Sequence, residues 1–232
     1  MALSERRIAR HARQLLLPGM GEAGQERLLA ARVRVVGAGP VAGPALLYLA
    51  AAGVGTLWVD DPDPSSEADA GAWIHPPDGW GRPRSAAAVE AVREVSDLVE
   101  VGVARPGARP TAVLVAGAAQ EVARAVAEEA RLLGLPHVVA DADGEGGAVT
   151  VVPVGAPCYA CAFRAGHGAE ATPAATAQVG ALAALEMVLL VSGSVQEPAA
   201  RRIEVVRGQP VARATLRLPG CACAGVAARL AP

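Results

Sequence analysis

The sequence predicts an α/β fold built on a doubly wound, mostly parallel sheet, continuing into a C-terminal mixed or antiparallel part. Three observations carry this. From Val33 to Asp61 a strand, a glycine turn, an apolar helix, a second strand and an acid follow one another, the mononucleotide-binding unit of a Rossmann-like sheet. Strands and helices keep alternating to Ala140, as a parallel sheet requires. Beyond Asp141 the stretch Arg213–Leu218 alternates apolar and polar residues, the pattern of an antiparallel strand with one buried face.

Taken in order, Ser4 caps a first helix with Ile8, Ala12, Leu15 and Leu16 on one face. Arg6, Arg7, Arg10 and Arg13 fall off that face and read as solvated. Pro18-Gly19 breaks the helix, and a short second one near Gln25 to Ala31 feeds the strand of Val33, Val35 and Val36. In the turn, Gly37 permits the tight bend and Gly39 lets backbone approach a phosphate. Ala42, where a third glycine is commonest, keeps the helix close to the sheet. The N–H groups opening that helix face an anion, although Pro40 removes one donor nearby. Gly53 is placed as the C-cap, the strand Thr56–Val59 follows, and Asp60 stands at the distance from Gly39 of an acid that holds a ribose hydroxyl.

From Pro62 to Gly79 there is no periodicity and the segment reads as a long loop pinned by Trp73, Ile74 and Trp80. A helix capped by Ser85 follows, with Ala88, Val92 and Val95 inward. Next come strands at Val99–Val103 and Ala112–Ala116, a helix from Gln120 to Leu133 and a strand His137–Ala140. Asp141–Gly144 reads as a turn, Ala148–Val152 as a strand, and Ala175–Val191 as a long buried helix. One domain is expected in three parts: a helical arm over 1–31, a nucleotide-binding part over 32–147 and a C-terminal part over 148–232.

The 232 residues carry a net charge of −2, which calls for neither nucleic acid nor a membrane surface. All 21 basic residues are arginine, so no lysine is available to meet a phosphate or form a Schiff base. The first residues lack an apolar signal core, and the apolar window Thr176–Val195 is broken by Gln178, Gly180, Glu186 and Gly193. A cytoplasmic protein is expected, in which four cysteines are thiols or metal ligands in preference to disulfides. Cys158 and Cys161 have Cys-x-x-Cys spacing, which lets two thiolates share one tetrahedral metal. Cys221 and Cys223 supply a second, shorter pair, so the four predict a structural zinc knuckle that ties the tail to the body. The alternatives are small buried thiols and a redox Cys-x-x-Cys, the latter disfavoured because the pair does not open a helix in a thioredoxin-like βαβ unit; His167 could replace one thiolate if the short pair cannot close.

The order of parts resembles the ThiF/MoeB/HesA family, bacterial relatives of ubiquitin-activating enzymes, over nearly the whole length. Arg10-His11-Ala12-Arg13-Gln14 is similar to the family's Arg-Tyr-x-Arg-Gln opening, and Gly24-Gln25-Glu26-Arg27-Leu28 to its Gly-Gln-x-x-Leu. The nucleotide unit fits the family's through Tyr48–Gly55, and the two cysteine pairs look like the family's zinc site. The resemblance implies a homodimer, or a heterodimer with a homologue, that uses ATP and magnesium to adenylate the C-terminal carboxylate of a small ubiquitin-like sulfur carrier or peptide. It implies that Arg13 reaches the partner subunit's site, that Gly37, Gly39 and Ala42 line the phosphates, and that Asp60 holds the ribose.

The chain departs from the family pattern in several places. The Ser-x-Asn-Leu-x-Arg-Gln segment is replaced by the Pro/Asp/Ser/Ala loop, and Gly-x-Pro-Lys becomes Gly81-Arg82-Pro83-Arg84, in which Arg84 keeps the charge. No carboxylate follows the strand ending at Ala116, and Thr172-Pro173-Ala174 stands where some members carry a thioester cysteine. Two functions therefore compete: an adenylyltransferase, its activity weakened or lost, and a catalytically inactive binding module that holds a carrier, leader peptide or partner enzyme. A nicotinamide or flavin oxidoreductase fits the glycine turn but not the cysteine layout.

Overall fold

The computed structural model describes residues 3–163, 170–195 and 198–225. Helices α1 (Glu5–Leu15) and α2 (Gly21–Ala30) form an arm that leads into β1 (Arg32–Val36). Then come α3 (Ala42–Ala52), β2 (Thr56–Asp60), α4 (Arg84–Val95), β3 (Glu100–Val103), β4 (Ala112–Ala116), α5 (Gln120–Leu132) and β5 (His137–Asp143). The C-terminal part holds β6 (Gly146–Val152), a short α6 (Tyr159–Ala162), α7 (Pro173–Ser192), β7 (Arg201–Val206) and β8 (Gln209–Ala214). These strands make one sheet in the order β3-β2-β1-β4-β5-β6-β7-β8. Pairings from β3 through β5 are parallel, and those from β5 to β8 antiparallel. The predicted parallel sheet with a mixed C-terminal continuation is therefore the one observed.

Side chains alternate across the sheet with period two, and the alternation decides which helix each meets. Val33, Val35, Leu57, Val59 and Leu114 join Leu46, Leu49, Val92, Val179 and Met187 in a core under α3, α4 and α7. The intervening Val36, Val113, Val115 and Val139 pack on the opposite face against Ala123, Val126 and Ala130 of α5. Helix α3 is apolar nearly all round because it is covered on several sides, and each fully buried leucine in it contributes about 2 kcal/mol. Gly53 ends α3 in the left-handed region at φ 87°, as its C-cap position predicts. Helix α7 is long and apolar enough to cross a membrane by length and composition, but here it packs on α3, β5 and β6. Its buried Glu186 is met by Arg201 of β7, so the acid that interrupts the apolar run anchors the next strand.

Four local expectations are corrected. The residue of α1 that is buried is His11, while Ile8 and Leu16 are exposed. Helix α4 starts at Arg84 with Pro83 before it, and Ser85 is buried inside. No side-chain cap is needed there because Arg84 N donates to Asp63 O and Ser85 N to Asp61 O. Asp141 and Asp143 continue β5, and the tight turn lies at Gly144-Glu145, where β5 and β6 form a hairpin. Strand β7 was not foreseen, and its hairpin partner β8 ends at Ala214, taking in only the first two residues of the Arg213–Leu218 stretch. All residues of β8 are exposed, so the alternation there does not report a buried face.

Candidate nucleotide site and cysteine cluster

Val36 delivers the chain into the glycine turn at the carboxyl ends of β1, β2 and β4. Gly37 adopts φ +99°, its N–H donates to Asp60 O at 3.0 Å, and a Cβ there would lie 2.3 Å from Ala116 O. Only glycine fits that position without moving backbone. Ala42 opens α3 fully buried. A Cβ on Gly43 would meet Ala72 O at 2.0 Å and one on Gly180 of α7 would meet Val41 O at 2.2 Å, so the start of α3 is clasped between the Glu67–Ala72 turn and α7.

The aperiodic loop folds back onto this turn. His75 is buried and its Nε2 lies 2.6 Å from Ala38 O; since a carbonyl only accepts, that nitrogen carries the proton. Asp69 is 1% exposed, and its Oδ1 lies 3.6 Å from where a Cβ on Gly39 would sit. Its Oδ2 accepts from Ser66 N at 2.9 Å and from Arg84 Nε at 3.0 Å. Asp61 caps the turn itself, its Oδ2 accepting from Ala38 N at 2.8 Å. Arg84 Nη1 also stands 4.0 Å from Asp61 and 3.9 Å from Asp63. The predicted Arg84 is thus beside the glycine turn, but in the company of three carboxylates. None of these acids was singled out from sequence; the Asp-Pro-Asp spacing of Asp61 and Asp63 was the available signal.

Asp60 is placed elsewhere, which corrects its expected position. It shares the strand face of Trp58, and its carboxylate pairs with Arg34 at 2.6 Å in a cavity of about 370 Å³ on the α5 side. Glu129 of α5 joins the same guanidinium at 3.1 Å. Both acids hold the Arg34 guanidinium in its charged form against the cost of burial. The carboxylate that reaches the glycine turn is that of the next residue, Asp61.

Beside the turn opens a cleft of about 300 Å³ lined by Pro40, Val41, Gly71, Gly117, Asp141, Glu170 and Thr176. The end of β4 adds no charge to it. Among the lining residues the carboxylates are Asp141 and Glu170. Burial, then the neighbouring Asp143, pushes the Asp141 carboxyl up from its ordinary value.

The arm docks at the other end of α3. Gln14 Nε2 donates to Gln25 Oε1 at 2.7 Å and to Ala52 O at 3.0 Å, and His11 packs against Gly53. Arg13 is exposed near that end and is not brought to the glycine turn of its own chain. The solvated reading of the arginines holds for Arg13, whereas Arg6 pairs with Asp97 and Arg10 donates to Val95 O. His11 Nε2 is buried without a hydrogen-bond partner among the described residues, and burial, then the charges of Arg10 and Arg7, lowers its pKa. A lowered folded value means the unfolded chain takes the proton first. Stability present above about pH 6.5 is therefore lost as pH falls toward the folded value, by at most about 1.4 kcal/mol per pH unit. Melting from pH 7.5 to 5.5 is expected to lower Tm more in the native protein than in His11→Gln; parallel losses would refute this.

The four cysteines converge. Sγ–Sγ separations are 3.9 Å for Cys158–Cys161, 3.6 Å for Cys158–Cys221 and 3.7 Å for Cys161–Cys223, and all four sulfurs lie within 4.8 Å of one another. A tetrahedral zinc with thiolates at about 2.3 Å requires sulfur–sulfur edges of about 3.8 Å, so the set fits that metal. The short Cys221/Cys223 pair closes because a tight helical turn at Ala222–Gly225 carries Cys223 inward. Burial pushes the Cys158 thiol up to about 12, while hydrogen bonding from the Cys223 backbone draws Cys221 down to about 7. His167 lies outside the described residues.

Comparison with known proteins agrees with this layout. The family model described as "ThiF family" matches residues 11–223. The probable adenylyltransferase/sulfurtransferase MoeZ of Mycobacterium tuberculosis is 42% identical over 101 residues, 43% of this chain and 26% of that protein. The adenylyltransferase and sulfurtransferase MOCS3 of Bos taurus is 32% identical over 248 residues, 97% of this chain and 54% of that protein. The chain thus spans about a quarter to about half the length of these curated relatives. Among solved structures, E. coli MccB with ATP superposes with a TM-score of 0.80 at 14% identity, covering 96% of this chain and 74% of that one. The glycine turn, the sheet order and the family match across 11–223 lead to one assignment: the chain belongs to the ThiF family.

Proposed function

We propose that the chain is an adenylyltransferase of the ubiquitin-activating kind, acting on the C-terminal carboxylate of a small ubiquitin-like sulfur carrier or of a peptide. The observation that carries the reading is the glycine turn with a guanidinium, Arg84, held beside it by Asp69. In this reading Gly37, Gly39 and Ala42 line the phosphates and the N–H groups at the start of α3 face them. Asp61 takes the ribose role that Asp60 cannot reach. A carboxylate oxygen of the carrier attacks the α-phosphorus of ATP, the bond to the β-phosphate oxygen breaks, and pyrophosphate leaves. Arg84, and Arg13 from a second subunit, stabilise the charge that develops. Magnesium would be met by Asp141 and Glu170, the carboxylates lining the cleft. Exposed Ile8 and Leu16 on the arm that carries Arg13 suit a dimer. The arm over 1–31, the nucleotide part over 32–147 and the cysteine-bearing part over 148–232 then act as one cytoplasmic unit.

A second reading is a binding module without turnover. It is favoured by the spending of Arg84 on Asp61, Asp63 and Asp69, and by the acid-free end of β4. Calorimetric titration with ATP and magnesium, followed by ATP–pyrophosphate exchange with a carrier ending in Gly-Gly, separates the two. Magnesium-dependent binding with exchange is expected. No heat at millimolar ATP would sink the enzyme reading.

A further inference from the structure

The loop that covers the glycine turn also builds a groove against the outer side of α4, of about 490 Å³, sharing no lining residue with the cleft described above. Its floor is Ala87 and Ala91, whose small side chains leave depth, and Pro77 lines it from the loop side. Glu90 and Glu94 stand one turn apart on α4, both lining the groove. Arg82 donates to Glu90 at 3.0 Å, whereas Glu94 makes no ion pair or hydrogen bond among the described residues.

Trp73 stands at the lip. It is 80% exposed although its neighbour Ile74 is buried, and its backbone sits at φ 62°. A bulky residue in the left-handed region is strained by roughly 1 kcal/mol or more. Such strain is tolerated where the surroundings fix it, and here the Ser66/Asp69 capping box and the burial of Ile74 do so. The indole buries little against its own chain, so the conformation presents an aromatic face to solvent at the groove that Glu94 also lines.

We propose that this groove binds an arginine or lysine side chain in an extended segment of a partner protein. The cationic head lies between the Trp73 ring and the Glu94 carboxylate, where ring quadrupole and charge act together. The aliphatic stem lies over Ala87, Ala91 and Pro77. An acidic segment is excluded by charge, since the wall carries two carboxylates against one guanidinium. The inference does not rest on the adenylation reading, because it involves neither ATP nor the glycine turn.

The test uses the full chain without ATP and a fluorescein-labelled peptide, Gly-Arg-Gly-Arg-Gly-amide, with the glutamate counterpart as control, read by anisotropy. Trp73→Gly removes the ring and suits the positive φ, and Glu94→Gln alters an exposed residue, so both variants keep the fold. Saturable binding of the arginine peptide alone is expected, weakened about tenfold in Trp73→Gly and about threefold in Glu94→Gln. Equal binding by both variants, binding of the glutamate peptide, or no saturation at millimolar peptide would each overturn the proposal. Because no ATP is present, a failed exchange assay leaves this outcome untouched.

Discussion

Replacing Cys161 by Ser, or stripping metal with a strong chelator, is expected to lower the melting temperature by about 10 °C. Zinc held by four sulfurs at these tetrahedral separations would contribute its binding free energy to folding, since the unfolded chain offers no such site. Even partial loss at ordinary ligand excess removes roughly 4 kcal/mol, and each kcal/mol moves the midpoint of a domain this size by about 2–4 °C. The effect is amplified by what the cluster joins: Cys158 caps α6 and Cys161 lies within it, Tyr159 of the same helix packs under α5, and Cys221 and Cys223 come from a segment about 60 residues further along the chain. Metal analysis should return one zinc per chain. A metal-free preparation with the same melting temperature as the native one would remove the metal from the account.

The cysteine cluster and the glycine turn were legible in the sequence because each is encoded locally, one by spacing and the other by a strand–turn–helix pattern. Asp60 shows where spacing fails. Counting residues from Gly39 selects it, but strand parity does not: Val33, Val35, Leu57 and Val59 face α3, so Asp60 must share the far face with Trp58. Asp61, leaving the strand, is free to turn back to Ala38. The path of the loop over Asp69 and His75 had no periodic signal, since it is fixed by single contacts, His75 to Ala38 O of the turn and Asp69 to the Arg84 guanidinium. Strand β7 was missed because the charges of its Arg201 and Glu204 are met by Glu186 of α7 and Arg213 of β8, distant in sequence or on the strand's hairpin partner.

Arg84→Gln is expected to cost about 2–3 kcal/mol of stability and, on the proposed function, to abolish ATP binding. Asp69 is 1% exposed, so removing the cation leaves a buried carboxylate with only the Ser66 N–H and turn dipoles. Breaking a buried pair from one side typically costs about 3–5 kcal/mol, and the 24% exposure of the Arg84 side chain reduces that here. Asp69→Asn tests the coupling. Its amide oxygen still accepts from Ser66, so in the Arg84→Gln background it should restore most of the lost stability without restoring ATP binding. Alone, Asp69→Asn should release Arg84 from its main partner and remove one negative charge beside Gly39, tightening ATP binding several-fold. The four proteins form a double-mutant cycle in which stability and ATP affinity are read separately. Strict additivity in stability would show that the buried pair is not the source of the loss. Unchanged ATP affinity in Asp69→Asn would show that the acid over Gly39 does not compete with phosphate.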